Sequence, residues 1–166
     1  MIRILALDTG THCGWASWSP RTQQQTSGVQ VFELGRGESP GMRFLRFRKW
    51  LTEMVRLVSP NVIAYERSAH FKGVPAAEVC HGFQTVMLEL AAQHEIDTAP
   101  VQNSSLKKYM TGKGNASKEE MVEAAIKRWR LDETPTHDQA DALAVLAWAI
   151  EETRAGGRKI IIRTRR

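Results

Sequence analysis

The stretch Thr136-His137-Asp138-Gln139-Ala140-Asp141-Ala142-Leu143-Ala144-Val145-Leu146-Ala147-Trp148 sets two carboxylates at the start of a segment that is otherwise almost wholly apolar. On a helix, Asp138 and Asp141 are three residues apart and project from one face about one turn from each other. Two desolvated anions that close repel unless protons, hydrogen-bond donors or a divalent cation compensate them. A lone Asp after Pro135 reads as a cap favouring the positive end of the helix. Capping leaves a second Asp on the same face unexplained, so the question becomes whether other isolated carboxylates lie where a fold could deliver them here.

Working outward, Ile2 to Leu7 is a short, branched, nearly uniform apolar run that reads as a strand buried on both faces and ending at Asp8. Gly10 and Gly14 punctuate a tight connection, Trp15 to Trp18 resumes an extended pattern, and Ser19-Pro20 breaks it. After a polar, Gln-rich turn from Arg21 to Ser27, the alternation of Gly28 to Leu34 predicts a third, antiparallel strand, closed by a loop from Gly35 to Gly41. From Met42 to Val58, Phe44, Phe47, Leu51, Met54, Val55 and Val58 fall at helical spacing. Ser59-Pro60 ends that helix, and Asn61 to Glu66 reads as a second buried strand finishing on a carboxylate. Asp8 and Glu66 thus hold equivalent places at strand ends.

Arg67 to Gly73 is a loop carrying His70, Phe71 and Lys72, and Pro75 opens a helix lined by Val79, Phe83, Val86, Met87, Leu90 and Ala91. Ile96 to Val101 is a third parallel strand, with Asn103 expected as the N-cap of a short helix through Met110. Ser117 and Glu120 form a capping box for a helix bearing Met121, Ala125 and Trp129, and the final helix runs from about Thr136 to Arg154. This order predicts an α/β fold with a mixed five-stranded sheet, helices on both faces and the carboxylates gathered at one sheet edge. One domain over residues 1–155 and a basic tail over 156–166 are expected.

Composition bounds the partners. The chain has 166 residues, with 23 Lys and Arg against 18 Asp and Glu, a formal charge of +5 that favours polyanions. The cations cluster as Arg43, Arg46, Arg48 and Lys49, as Lys107, Lys108, Lys113 and Lys118, and in the tail from Arg158 to Arg166. Acids segregated within a basic chain suit a nuclease, in which cations track phosphates and carboxylates hold metal. Cys13 and Cys80 show no metal-ligand spacing, and no apolar run reaches the roughly 18 residues of a membrane span, so a cytoplasmic setting without a membrane is expected. Four carboxylates without a His/Cys cluster suit Mg²⁺, with Mn²⁺ able to substitute, and two ions about 3.5–4 Å apart are the expected arrangement for phosphodiester hydrolysis. Gly112-Lys113-Gly114 lacks full phosphate-loop spacing, so no nucleotide cofactor is expected.

Through Leu5-Ala6-Leu7-Asp8-Thr9-Gly10, Gly14-Trp15, Ala64-Tyr65-Glu66 and Asp138-Gln139-Ala140-Asp141-Ala142-Leu143-Ala144, the chain resembles the RuvC-type Holliday junction resolvases of the RNase H-like superfamily. The resemblance runs nearly end to end and is compatible with a bacterial or phage origin. It implies a metal-dependent endonuclease for branched DNA in recombination and repair, acting as a homodimer, with Asp8, Glu66, Asp138 and Asp141 as catalytic metal ligands. It also implies DNA contacts by Lys107 and Lys118 and by Phe71 in the loop after the second acid. Lys72, Lys108 and Lys113 are further DNA-contact candidates, and His137 is either an exposed loop residue or an additional ligand or supporting group. Two rival readings stand beside this one. Asp8-Thr9-Gly10-Thr11 also resembles the phosphate-binding hairpin of actin-like ATPases, which need two such domains, and a noncatalytic DNA-binding module explains the charge but not the four acids.

Overall fold

The computed structural model describes residues 2–67 and 73–156, and within them the elements follow the predicted order. These are β1 (Ile4–Asp8), β2 (His12–Ser19), β3 (Gln24–Val31), α1 (Gly41–Val58), β4 (Val62–Arg67), α2 (Val74–Gln93), β5 (Asp97–Gln102), α3 (Asn103–Thr111), α4 (Lys118–Trp129) and α5 (His137–Arg154). The five strands form one sheet in the order β3-β2-β1-β4-β5. β1, β2 and β3 pair antiparallel, whereas β4 lies parallel to both β1 and β5. The mixed sheet is therefore present. No helix among the described residues is long and apolar enough to cross a membrane.

Strand alternation sorts the side chains into two layers. Ile4, Ala6, Ala16, Val62, Ala64 and Ala99 face α5, with α3 and α4 completing that layer. Leu5, Leu7, Cys13, Ile63 and Tyr65 face α1 and α2. The α5 side of the sheet is built largely from alanine, which lets a helix that is itself rich in buried Ala140, Ala142, Ala144, Ala147 and Ala149 lie close to it. The opposite layer is aromatic: Phe47 and Phe83 stack with ring centroids 4.2 Å apart, and Phe32 meets both edge-on. Truncating a fully buried residue such as Leu143 or Phe83 to alanine costs about 3–5 kcal/mol.

Three local readings change. Residues 24–27, expected as turn, are strand: Gln24 to Ser27 pair with Ser19 to Ala16, and the Ser17 and Thr26 hydroxyls bond at 2.7 Å. An edge strand with one open side accepts polar side chains, so composition misdirected the reading there. Asn103 is not a cap, because Gln102 occupies the N-cap position of α3 and makes no side-chain cap bond. Asp138 is not a cap either: the Thr136 hydroxyl accepts the Gln139 amide at 3.2 Å and takes that role. The predicted Ser117/Glu120 capping box is present on α4. The tail over 157–166 lies outside the described residues.

Candidate active site

The pleat of the two strands decides which way the strand-end acids point. β1 and β4 run in register, Ile4 beside Val62 through Leu7 beside Tyr65, so Asp8 and Glu66 come one step beyond the last pair. Each continues the parity of Ala6 and Ala64, which face α5. The carboxylates therefore gather at the C-terminal end of the central strands, on the face α5 covers, rather than at a sheet edge as expected. α5 brings its first turns to the same place, because Gly14, paired with Asp8 across β1 and β2, lies directly beneath Asp138. A Cβ on Gly14 would sit 1.9 Å from the Asp138 carbonyl oxygen. Gln139 anchors this end of α5 to β3 through a 3.0 Å bond to the Ser27 hydroxyl.

The electrostatics record how the four acids share one space. Burial, then the charges of Glu66, Asp141 and Asp138, push the Asp8 carboxyl well above its usual range, while Lys118 pulls it down. Burial and then Glu66 raise Asp141 to about 7, with Asp138 adding to the rise and Lys118 and Lys107 opposing it. Asp8 and Asp141 thus feel the acids around them, and the two lysines offset only part of that effect. Glu66 is itself buried, at 6 % exposure, and its Oε1 accepts the Asn103 side-chain amide at 2.8 Å. The Gln84 amide donates to the Glu66 carbonyl at 3.1 Å and to the Thr9 hydroxyl at 3.2 Å, tying the ends of β4 and β1 together.

Among the described residues no three His, Cys, Asp or Glu side chains are already drawn into a closed cation cage. The donor set nonetheless fits a hard divalent cation, being all carboxylate oxygen, and the raised Asp8 and Asp141 show negative charge that a cation would stabilise. A cavity of about 190 Å³ opens beside Asp8 and Glu66, walled by Thr9, Gly10, Val79 and Cys80.

The predicted DNA-contact residues divide. Lys107 and Lys118 lie close enough to the acids to shift them, Lys108 is exposed on α3, and Lys113 is held by Glu120 at 2.7 Å. Phe71 and Lys72 lie outside the described residues. His137 is exposed and 4.0 Å from Glu119, turned toward α4. Three cations of α1 are engaged within the fold: Arg43 donates to the Phe32 carbonyl at 2.8 Å, Arg46 pairs with Glu38, and Arg48 with Glu89. Sequence reading overlooked Gln84 and misassigned Asn103. A polar residue just past β5, the strand beside that of Glu66, was the available signal.

The family model for crossover junction endodeoxyribonuclease RuvC matches residues 4–149. A crossover junction endodeoxyribonuclease RuvC of Dehalococcoides mccartyi is 34% identical over 147 residues, spanning 87% of this chain and 89% of that protein. One from a Synechococcus species is 29% identical over 157 residues, spanning 89% and 98%. Among solved structures, Thermus thermophilus RuvC in complex with a Holliday junction substrate aligns with a TM-score of 0.79 at 20% identity, over 94% of this chain and 97% of that one. The yeast mitochondrial Holliday junction resolvase aligns with a TM-score of 0.69 at 12% identity, over 94% and 80%.

Proposed function

The chain belongs to the RuvC family of crossover junction endodeoxyribonucleases and is a Holliday junction resolving endonuclease, and from that premise we propose that Asp8, Glu66, Asp138 and Asp141 are its catalytic carboxylates. The observation that supports this assignment is the convergence of the acids on the α5 face of the sheet, where burial and the neighbouring carboxylates raise Asp8 and Asp141. Structural acids far from function are matched by cations or donors, whereas Asp8 and Asp141 stay raised despite the nearby Lys118 and Lys107.

The four carboxylates would hold Mg²⁺, with Mn²⁺ able to substitute, and a pair of such ions supplies activation of the attacking water and stabilisation of the leaving oxygen in phosphodiester hydrolysis. The chain's own residues set the stage for that chemistry. Asp8 and Glu66 ride at the ends of two hydrogen-bonded central strands, whose register sets the spacing of their backbones. Asp138 and Asp141 are carried by α5, whose place on the sheet is fixed by Gly14 and by the Gln139–Ser27 bond. Lys107 and Lys118 offset charge at the site and would contact phosphates of the bound DNA, with Lys108 extending the basic surface. Phe71, which follows β4 in the sequence, is assigned to stacking on a base exposed at the branch point. His137 is assigned no chemical role, since it faces Glu119 in solvent.

Symmetric cutting of two strands needs two such sites, and each chain supplies one, so a homodimer is part of the reading. Leu45, at 60 % exposure, and Leu88, at 41 %, put apolar surface on α1 and α2, the helical layer remote from α5. A cytoplasmic setting, where chromosomal or phage DNA is met, completes it. The direct test is cleavage of a synthetic four-way junction by the purified chain with and without Mg²⁺. Mg²⁺-dependent, paired incisions that vanish in Asp8→Asn support the assignment, and full cleavage by that variant overturns it.

A further inference from the structure

We propose that Asn103 is a positioning residue that holds the Glu66 carboxylate in one orientation for cation binding, an inference that rests on the assignment of Glu66 to the metal site. β4 and β5 run parallel with Glu66 beside Val101, so the chain turning from β5 into α3 carries residue 103 over the end of β4. There the Asn103 side-chain nitrogen donates to Glu66 Oε1 at 2.8 Å. Its place one residue inside α3 removes the ordinary capping explanation for an Asn near a helix start, because the cap position belongs to Gln102.

The chemistry of the partner matters. A lysine or arginine at this position would neutralise Glu66 and compete with any cation, whereas an amide orients one carboxylate oxygen with a neutral donor and leaves the negative charge in place. Gln84 does the complementary task on the backbone, donating to the Glu66 carbonyl and to the Thr9 hydroxyl next to Asp8. Glu66 is thus gripped by two neutral amides, one from α2 and one from α3, at its main chain and at its carboxylate. Groups that orient a metal ligand in this manner typically change cation affinity by about 10-fold to 100-fold when removed.

The test uses the full chain with three variants, Asn103→Ala, Asn103→Gln and Asn103→Ser. Binding of Mn²⁺ alone, without DNA, is followed by the electron paramagnetic resonance of the free ion, and junction cleavage is measured across a Mg²⁺ titration. Junction affinity in EDTA and Tm in EDTA serve as controls. Asn103→Ala is expected to weaken Mn²⁺ binding and raise the half-saturating Mg²⁺ concentration about 10-fold or more. Asn103→Gln or Asn103→Ser, each retaining a donor, recovers part of that loss, and both controls stay at wild-type values. Should Asn103→Ala fail to fold, the comparison of the Gln and Ser variants with wild type carries the same readouts. Unchanged Mn²⁺ affinity and Mg²⁺ dependence in a folded variant, or a loss confined to junction affinity in EDTA, overturns the proposal. A wild-type chain that binds no Mn²⁺ and cuts no junction overturns instead the metal-site assignment on which it rests.

Discussion

The backbone of Gly14 on β2 and the carbonyl of Asp138 on α5 meet with no room for a side chain: a Cβ on Gly14 would lie 1.9 Å from that carbonyl oxygen and 3.3 Å from the Ala142 Cβ. Because both obstructing atoms belong to a buried helix, neither can swing aside. Gly14→Ala is therefore expected to lever the start of α5 off the sheet, lowering stability by about 2–4 kcal/mol, in the range of a core overpacking, and parting Asp138 and Asp141 from Asp8. Cleavage should fall by at least about 100-fold at a temperature where the variant remains folded, since small displacements of reacting groups carry such costs. Circular-dichroism melting together with single-turnover cleavage checks both; a variant with wild-type Tm and rate would show that α5 is not seated as described.

On the proposed assignment, replacing any one of Asp8, Glu66, Asp138 or Asp141 by its amide removes a charge that would hold the cation and leaves the basic surface intact. Each variant should bind a four-way junction at near wild-type affinity and fail to cut it. For Asp138 this is a sharp question, because Thr136 already caps α5. An Asp138→Asn protein that cuts at the wild-type rate would leave that carboxylate with no more than a favourable place near the helix dipole.

The titration of Asp141 gives a pH prediction with a definite sign. Its carboxyl is raised from 3.8 to about 7 by burial and by Glu66, so the folded state prefers it protonated. Without a cation its ionisation opposes folding progressively as pH rises from about 4 to 7, with the full cost, no more than about 4 kcal/mol, present above that window. In EDTA, Asp141→Asn should consequently melt at a higher temperature than wild type at pH 8 and at nearly the same temperature at pH 4. Added Mg²⁺ should stabilise wild type at pH 8 more than it stabilises the variant. A variant less stable than wild type at pH 8 in EDTA would contradict this.

Charge neutralisation separates the lysines. Lys107→Ala and Lys118→Ala should weaken junction binding across sequences and reduce the slope of log K against log salt by about one unit each. Lys113, engaged by Glu120, should show a smaller change. Equal slopes for all three variants would mean that the Glu120 pair opens freely on binding.

Phe71→Ala should reduce affinity or cleavage on junctions more than on linear duplex, since base stacking on an aromatic contributes about 1–3 kcal/mol and a duplex offers no splayed base. Measuring both substrates with Tm as a control decides it: a lowered Tm with an unchanged junction-to-duplex ratio assigns Phe71 to packing.

Much of this arrangement was legible in the chain itself. Continuous apolar runs ending on Asp8 and on Glu66, and the (i, i+3) acids opening an apolar helix, already place four carboxylates at element ends that a parallel β1–β4 pair and α5 bring together. The Ser117/Glu120 box was equally plain, because capping is a local event written in four residues. What escaped depended on contacts distant in sequence. Asn103 looks like a helix cap until β5 is laid beside β4, when its amide meets a carboxylate 37 positions earlier. Residues 24–27 look like a turn until Ser19 to Ala16 offer them a ladder of backbone partners. The cations of α1 look like a DNA face until Glu38, Glu89 and the Phe32 carbonyl are seen to hold three of them.

That α5 contributes half of the acids, and follows every other described element in the chain, has a consequence for how the protein is made. A nascent chain still short of residue 138 carries two of the carboxylates on a sheet whose alanine-lined face is bare. On the proposed assignment, the set of four acids is complete only once this last helix has packed over the sheet.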